Sequence, residues 1–150
     1  MLKKILVLLI ITITLVLVVK NNNESGRQEI LSGSRAIIGD EIFYIETADT
    51  QEKYLDGLSG RPSLNSDAGL LFIFDKPDFY PFWMKDMLFP IDIIWVSNNR
   101  VIGFDENLQP DNNPDRKLYR PPAKVDKVLE INAGEIARRQ IKTGDQVVIE

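Results

Sequence analysis

Six side chains of this sequence are of types and at places that suit ligand recognition. Trp83, Lys85 and Asp86 lie in the hexapeptide FWMKDM (82–87), Asp92 in PIDIIW (90–95), Glu106 just after Asp105, and Arg120 in YRPP (119–122). An indole gives a flat face on which a sugar ring or another flat apolar group stacks, and charged neighbours fix the orientation of what stacks there. If FWMKDM is extended, Phe82, Met84 and Asp86 share one face, and Trp83, Lys85 and Met87 share the other. Trp83 and Lys85 then form a platform. The same spacing also describes a strand near a sheet edge, with Phe82 and Met84 in the core and Lys85 bridging to a carboxylate. Asp92 interrupts an otherwise apolar run, and burying it alone would cost several kcal/mol, roughly, so it needs a partner. Lys85 and Arg100 are the nearest basic candidates, and the acid either fixes strand register in an ion pair or faces a ligand.

Much chemistry is excluded by residue type. The chain has neither cysteine nor histidine. Without them there is no disulfide, no thiol nucleophile, no Ser-His-Asp arrangement and almost no route to a zinc site. An enzyme would have to work with carboxylates. Asp105 and Glu106, taken with Asp86 and Asp92, include candidates for the acid pair of a glycoside hydrolase, with Asp92 and Glu106 the foremost members, but such a pair acts only at a defined separation. The stretch DNNPD from Asp111 places oxygen ligands at alternate positions, as a calcium loop does. Arg116 then stands where an EF-hand needs Gly and Pro122 where it needs Glu, so a turn rich in Asx residues is the better account. No catalytic residue, metal ligand or cofactor is assigned. With 18 basic against 22 acidic residues and a net charge of −4, the chain has no basic face to offer nucleic acid.

The elements that must position these residues belong to one domain, since 150 residues suit one and not two. Residues 1–20, MLKKILVLLIITITLVLVVK, set two lysines before fifteen apolar or threonine residues. A helix over those fifteen covers roughly 22 Å of a hydrocarbon core of about 30 Å, and snorkelling lysines extend its reach. No small-x-small cleavage site follows. The segment is expected to be an uncleaved anchor, or else a signal removed on secretion, with the remainder on the extracytoplasmic side. Residues 21–34 read as a flexible linker, and 35–150 as a single globular β domain. Within it, one strand is expected over AIIGDEIFYIETA (36–48), and further strands over 69–74, 90–97, 100–104 and 123–131, the last with a bulge. Asn98-Asn99 forms the hairpin turn between two of them. FWMKDM is expected to be extended as well. Two short helices follow Asp49 and Asn132, each cap answered by a Glu three residues on, and Tyr54, Leu55 and Leu58 are to be buried beside the first. Many short strands and two helices indicate a mainly β fold, a sandwich or barrel.

Several stretches together resemble the domain of unknown function family 192. They are ETADTQEKYLDGLSGRPSLNSDAGLLFIF, FWMKDMLFPIDIIWVS and YRPPAKVDKVLEINAGEIARRQIKTGDQVVI, in that order over residues 45–149. Its marks stand here as Gly57-Leu58-Ser59-Gly60-Arg61, Trp83-Met84-Lys85, Pro90-Ile91-Asp92, Leu129 to Gly134, and Gly144-Asp145. Ser59 and Asp86 replace the Met and Asn usual in such proteins. The resemblance implies a β-sandwich of jelly-roll type, or a closely related barrel, often behind an export signal, and it implies no activity. The expected function is that of a membrane-tethered, non-catalytic binding domain, with a saccharide as a possible ligand. The rivals are a carboxylate-based hydrolase and a structural module that meets an envelope protein.

Overall fold

Residues 33–150 are described by the structure, a computed structural model. The expected anchor and nearly all of the linker lie outside the described residues. Among the described residues no helix is long and apolar enough to cross a membrane.

The first apolar stretch folds back on itself at Gly39-Asp40, so one expected strand is a hairpin of β1 (Arg35–Ile38) and β2 (Glu41–Ala48). Phe43 and Ile45 turn into the core and Ile42 turns out, as alternation requires. A short helix α1 (Gln51–Asp56) follows. Its cap is Thr50, whose hydroxyl accepts from Lys53 N–H, and Asp49 is left to pair with the Lys53 ammonium at 2.8 Å. Tyr54 and Leu58 pack inward, whereas Leu55 is exposed. The next strands are β3 (Ala68–Asp78), β4 (Ile91–Ser97), β5 (Arg100–Leu108) and β6 (Val125–Asn132). The one-turn helix α2 (Glu135–Arg138) and β7 (Val147–Ile149) complete the chain. Asn132 does not cap α2. It ends β6 and donates its amide to the carbonyls of Leu64 and Asn65, both at 3.0 Å.

All seven strands join one sheet in the order β5-β4-β6-β3-β2-β1-β7. Every neighbouring pair is antiparallel except β2 with β3, which the α1 crossover connects. Asn98 and Asn99 make the β4–β5 turn at φ of 51° and 58°, the geometry a two-residue hairpin needs. The expected bulge in β6 lies on its partner. Between two paired positions β3 runs from Ile73 to Asp78 while β6 runs only from Lys127 to Val125, and Pro77 sits in that irregular stretch, where its missing N–H breaks no ladder. The sheet curls until its two edges meet. Val101 N–H donates to Asp145 O at 3.0 Å, Gly144 N–H to Val101 O at 2.8 Å and Val147 N–H to Asn99 O at 2.9 Å. The architecture is thus mainly β, a curled half-barrel with two short helices.

The curl divides the core in two. Its inner face encloses Ile38, Phe43, Leu71, Ile94, Val101 and Ile131, among others from every strand. The outer face of the central strands β3, β6 and β4 carries Leu70, Phe72, Ile93, Trp95 and Val128, covered by α1 and by the connections that hold Leu58, Phe82, Met84 and Met87. Strands buried on both faces read as continuous apolar runs, which is why GLLFIF and IDIIWV show no alternation.

Candidate functional site

The outer-face layer is not filled. Between α1, the outer face of the sheet and the β3–β4 connection lies a cavity of about 320 Å³. Tyr54 and Leu55 of α1 line one side, Phe72 and Phe74 of β3 the floor, and Tyr80, Phe82 and Trp83 the other side. Phe74 and Tyr80 stack with centroids 3.6 Å apart, Tyr54 lies 5.3 Å from Phe74, and Phe82 meets Phe72 edge to face at 4.9 Å. The phenols are held in place by the backbone: Tyr80 Oη donates to Lys76 O at 2.8 Å and Tyr54 Oη to Ile73 O. These bonds fix the rings and leave apolar surface toward the cavity.

One acid reaches into this wall. Glu130 of β6 lies opposite Leu70 of β3 and Ile93 of β4, so both cross-strand neighbours of its side chain are aliphatic. It is 5% exposed, it lines the cavity, and its Oε2 has no hydrogen-bond partner among the described residues. Burial pushes its carboxyl up to about 8, against a smaller opposing pull from the Arg61 guanidinium. Arg61 is itself committed elsewhere, in a two-pronged pair with Glu46 at 2.7 and 2.8 Å. At neutral pH Glu130 is therefore mostly protonated, with its buried Oε2 left unpartnered among the described residues. Gly57 ends α1 at φ 52°, ψ −128°, a conformation that only glycine takes comfortably. A Cβ there would stand 3.6 Å from both Glu130 Oε2 and Phe72 Cζ. The absence of a side chain keeps the space above the acid clear. Beyond Gly57 a polar groove of about 550 Å³ opens toward Glu46, Lys53 and Arg61.

Of the side chains expected from sequence, Trp83 lines the cavity and the others do not. Arg116 lies over the Trp83 ring at 5.1 Å from its centroid. The expected extended FWMKDM is a turn. Phe82 bridges Tyr119, Met84 and Met87 are buried, and Asp86 takes φ 57°. Lys85 and Asp86 are exposed and pair with each other at 3.2 Å. The backbone of this turn holds the one after α1, since Gly60 N–H donates to Asp86 O at 2.8 Å and Ser59 Oγ to Lys85 O at 2.9 Å. Asp92 pairs with neither Lys85 nor Arg100. It is fully buried on the inner face, and its two oxygens accept from Asn107 N–H at 2.8 Å and Ile136 N–H at 3.1 Å. The second bond caps α2, whose N-cap residue Gly134 has no side chain to do so. Glu106 and Arg120 are exposed, and Asp105 accepts from Trp95 Nε1 at 2.8 Å. Asp92 and Glu106 therefore do not face a common cleft.

Sequence reasoning missed Glu130. In KVLEIN an acid between Leu129 and Ile131 reads as the solvent-facing member of an alternating strand. The pointer to it was its place among the family marks, within Leu129 to Gly134.

No curated protein matches the chain. A crystal structure of a protein of unknown function from Novosphingobium aromaticivorans is 32% identical, covering 76% of this chain and 83% of its own at a TM-score of 0.71. A second, described as a candidate transcription regulator of Sinorhizobium meliloti, is 25% identical, covering 77% of this chain and 90% of its own at a TM-score of 0.69. The DUF192 family, described as "Uncharacterized ACR", matches residues 35–149, nearly the whole of the curled sheet with both helices, and the chain belongs to it.

Proposed function

We propose that this is a non-catalytic binding domain, held at the extracytoplasmic face of a membrane by residues 1–20, whose ligand occupies the aromatic cavity. The observation that supports the reading is the buried Glu130 Oε2, without a partner among the described residues, in the wall of a cavity with six aromatic rings. A buried polar group left unsatisfied costs about 1–3 kcal/mol, and a ligand that supplies the missing hydrogen bond recovers that cost. Such a cavity selects for an apolar or flat body with one polar group at a fixed place. A saccharide satisfies this if one ring face meets Trp83 or Tyr80 and a hydroxyl reaches Glu130. A jelly-roll assignment for the curled sheet belongs to the same reading, and it bears on the ligand only by analogy.

Trp83 reports occupancy directly. Of the two tryptophans, Trp95 is buried and hydrogen-bonded, whereas Trp83 lines the cavity. Titration of the domain with mono- and oligosaccharides and small aromatic probes is expected to give a saturable change in tryptophan emission that Trp83→Phe abolishes. If no probe gives saturation at millimolar concentration, the binding reading is overturned. For the tether, the full chain is expected to stay in the membrane fraction after a high-salt wash and a chain lacking residues 1–20 to leave it. Equal behaviour of the two would remove the anchor from the proposal.

A further inference from the structure

We infer that the cavity is built for an organic ammonium ion with an apolar body, a class of ligand that rests on the binding reading above and makes it specific. Two observations carry this. The first is the ring wall itself: Tyr54, Phe72, Phe74, Tyr80, Phe82 and Trp83 surround one space. A cage of aromatic rings attracts a cation whose charge is spread over alkyl groups, because each ring presents a negative quadrupole and the cation is weakly hydrated. Among the described residues the molecule makes this contact with its own side chains at three places, Arg116 over Trp83, Lys117 over Tyr119 at 4.5 Å and Arg139 over Phe43 at 4.2 Å from the centroid.

The second observation is the sign of the charged groups. The cavity is lined by two acids, Asp56 and Glu130, and by no lysine or arginine. Of the basic groups nearby, Lys53 pairs with Asp49 and Arg61 with Glu46, while Arg116 lies over the Trp83 ring. An anionic ligand would meet the Asp56 carboxylate and no lining cation here. A neutral ligand would satisfy Glu130 but draw nothing from the second acid. A cation meets both acids and the rings at once, and it supplies the counter-charge that Glu130 lacks.

Binding is then linked to a proton. The groups that face Glu130 are few: Tyr54 and Asp56 from α1, Arg61 from the turn after it, and Tyr80 from the β3–β4 connection, while its strand neighbours Leu70, Phe72 and Ile93 carry no charge. With its carboxyl raised to about 8 by burial, Glu130 holds a proton in the free domain at pH 6. A cation settling beside it favours the ionised form, so the proton leaves as the ligand enters.

The test compares choline with 3,3-dimethylbutan-1-ol, in which a quaternary carbon replaces the quaternary nitrogen at nearly the same shape. Calorimetry in two buffers of different ionisation enthalpy, from pH 6 to 8.5, reads both affinity and proton release, and Trp83 emission reads occupancy. Choline is expected to bind more tightly than the alcohol, to release close to one proton at pH 6, and to gain roughly seventyfold in affinity by pH 8.5. Glu130→Gln is expected to lose the pH dependence and the proton release, and to keep only the part of the choline preference that the rings and Asp56 supply. Equal binding of the two probes by the unmodified domain, without proton release, would overturn the ammonium assignment and leave the cavity a binding site. If neither probe reaches the cavity, the binding reading falls with it.

Discussion

Glu130 carries a cost that depends on pH, and its sign is opposite to that of most carboxylates. In the unfolded chain it ionises near 4.5, whereas in the fold it holds its proton to about 8. Below the lower value both states are protonated and the difference vanishes. Between the two values the unfolded chain loses the proton first, so stability falls as pH rises and levels off above the upper value. The difference of the two values amounts to at most about 5 kcal/mol. Glu130→Gln removes the titration but keeps the shape. Its urea midpoint relative to the unmodified domain is expected to move in the variant's favour from pH 5 to pH 8.5, and an unchanged difference would show that Glu130 does not titrate in that range. Asp92 is a fully buried acceptor with two backbone donors. Asp92→Ala leaves both N–H groups unpaired, and the expected loss is about 3 kcal/mol, read as a lower urea midpoint with an unchanged slope.

At the scale of elements, the central strands were legible because burial on both faces leaves no choice of residue. GLLFIF and PIDIIWVS could be little else, and the Asn98-Asn99 turn followed from the tolerance of Asn for positive φ. FWMKDM is expected to be a strand from its run of large apolar residues, although neither face of it is cleanly polar. Its burial comes instead from lying across the outer face of the sheet, a tertiary fact without local periodicity. The hairpin at Gly39-Asp40 was hidden by apolar residues on both sides of it. The cavity was least legible of all, since its walls come from α1, β3, β6 and the β3–β4 connection. The β3–β6 contact that supports it is very close. A Cβ on Gly69 would stand 2.8 Å from Leu129 Cδ1 and 3.1 Å from the Glu130 carbonyl oxygen. Gly69→Ala is therefore expected to destabilise the domain by about 1–3 kcal/mol, measured by thermal or urea unfolding. A neutral effect would mean that the two strands separate more easily than their spacing suggests.

For the molecule as a whole, acids of opposite tendency set a pH optimum. The Arg138 and Arg139 guanidiniums hold Glu135 below the usual carboxylate range, and Arg61 does the same for Glu46. The stability these two contribute is fully present above their unfolded value and is lost as pH falls through the lowered one. Glu130 acts on the other flank. The urea midpoint between pH 3 and 9 is expected to peak at about pH 5, lower than for a domain without a buried protonated acid. The curl of the sheet has a further consequence, for the order of events in synthesis. Ala36 pairs with Ile149, and Asn99 and Val101 are tied to Val147 and Asp145. These contacts join residues 36, 99 and 101 to residues made later, at 145–149. Until Val147 has left the ribosome the curled sheet has no seam, and the apolar inner face of every shorter nascent chain is open to whatever holds unfolded chains.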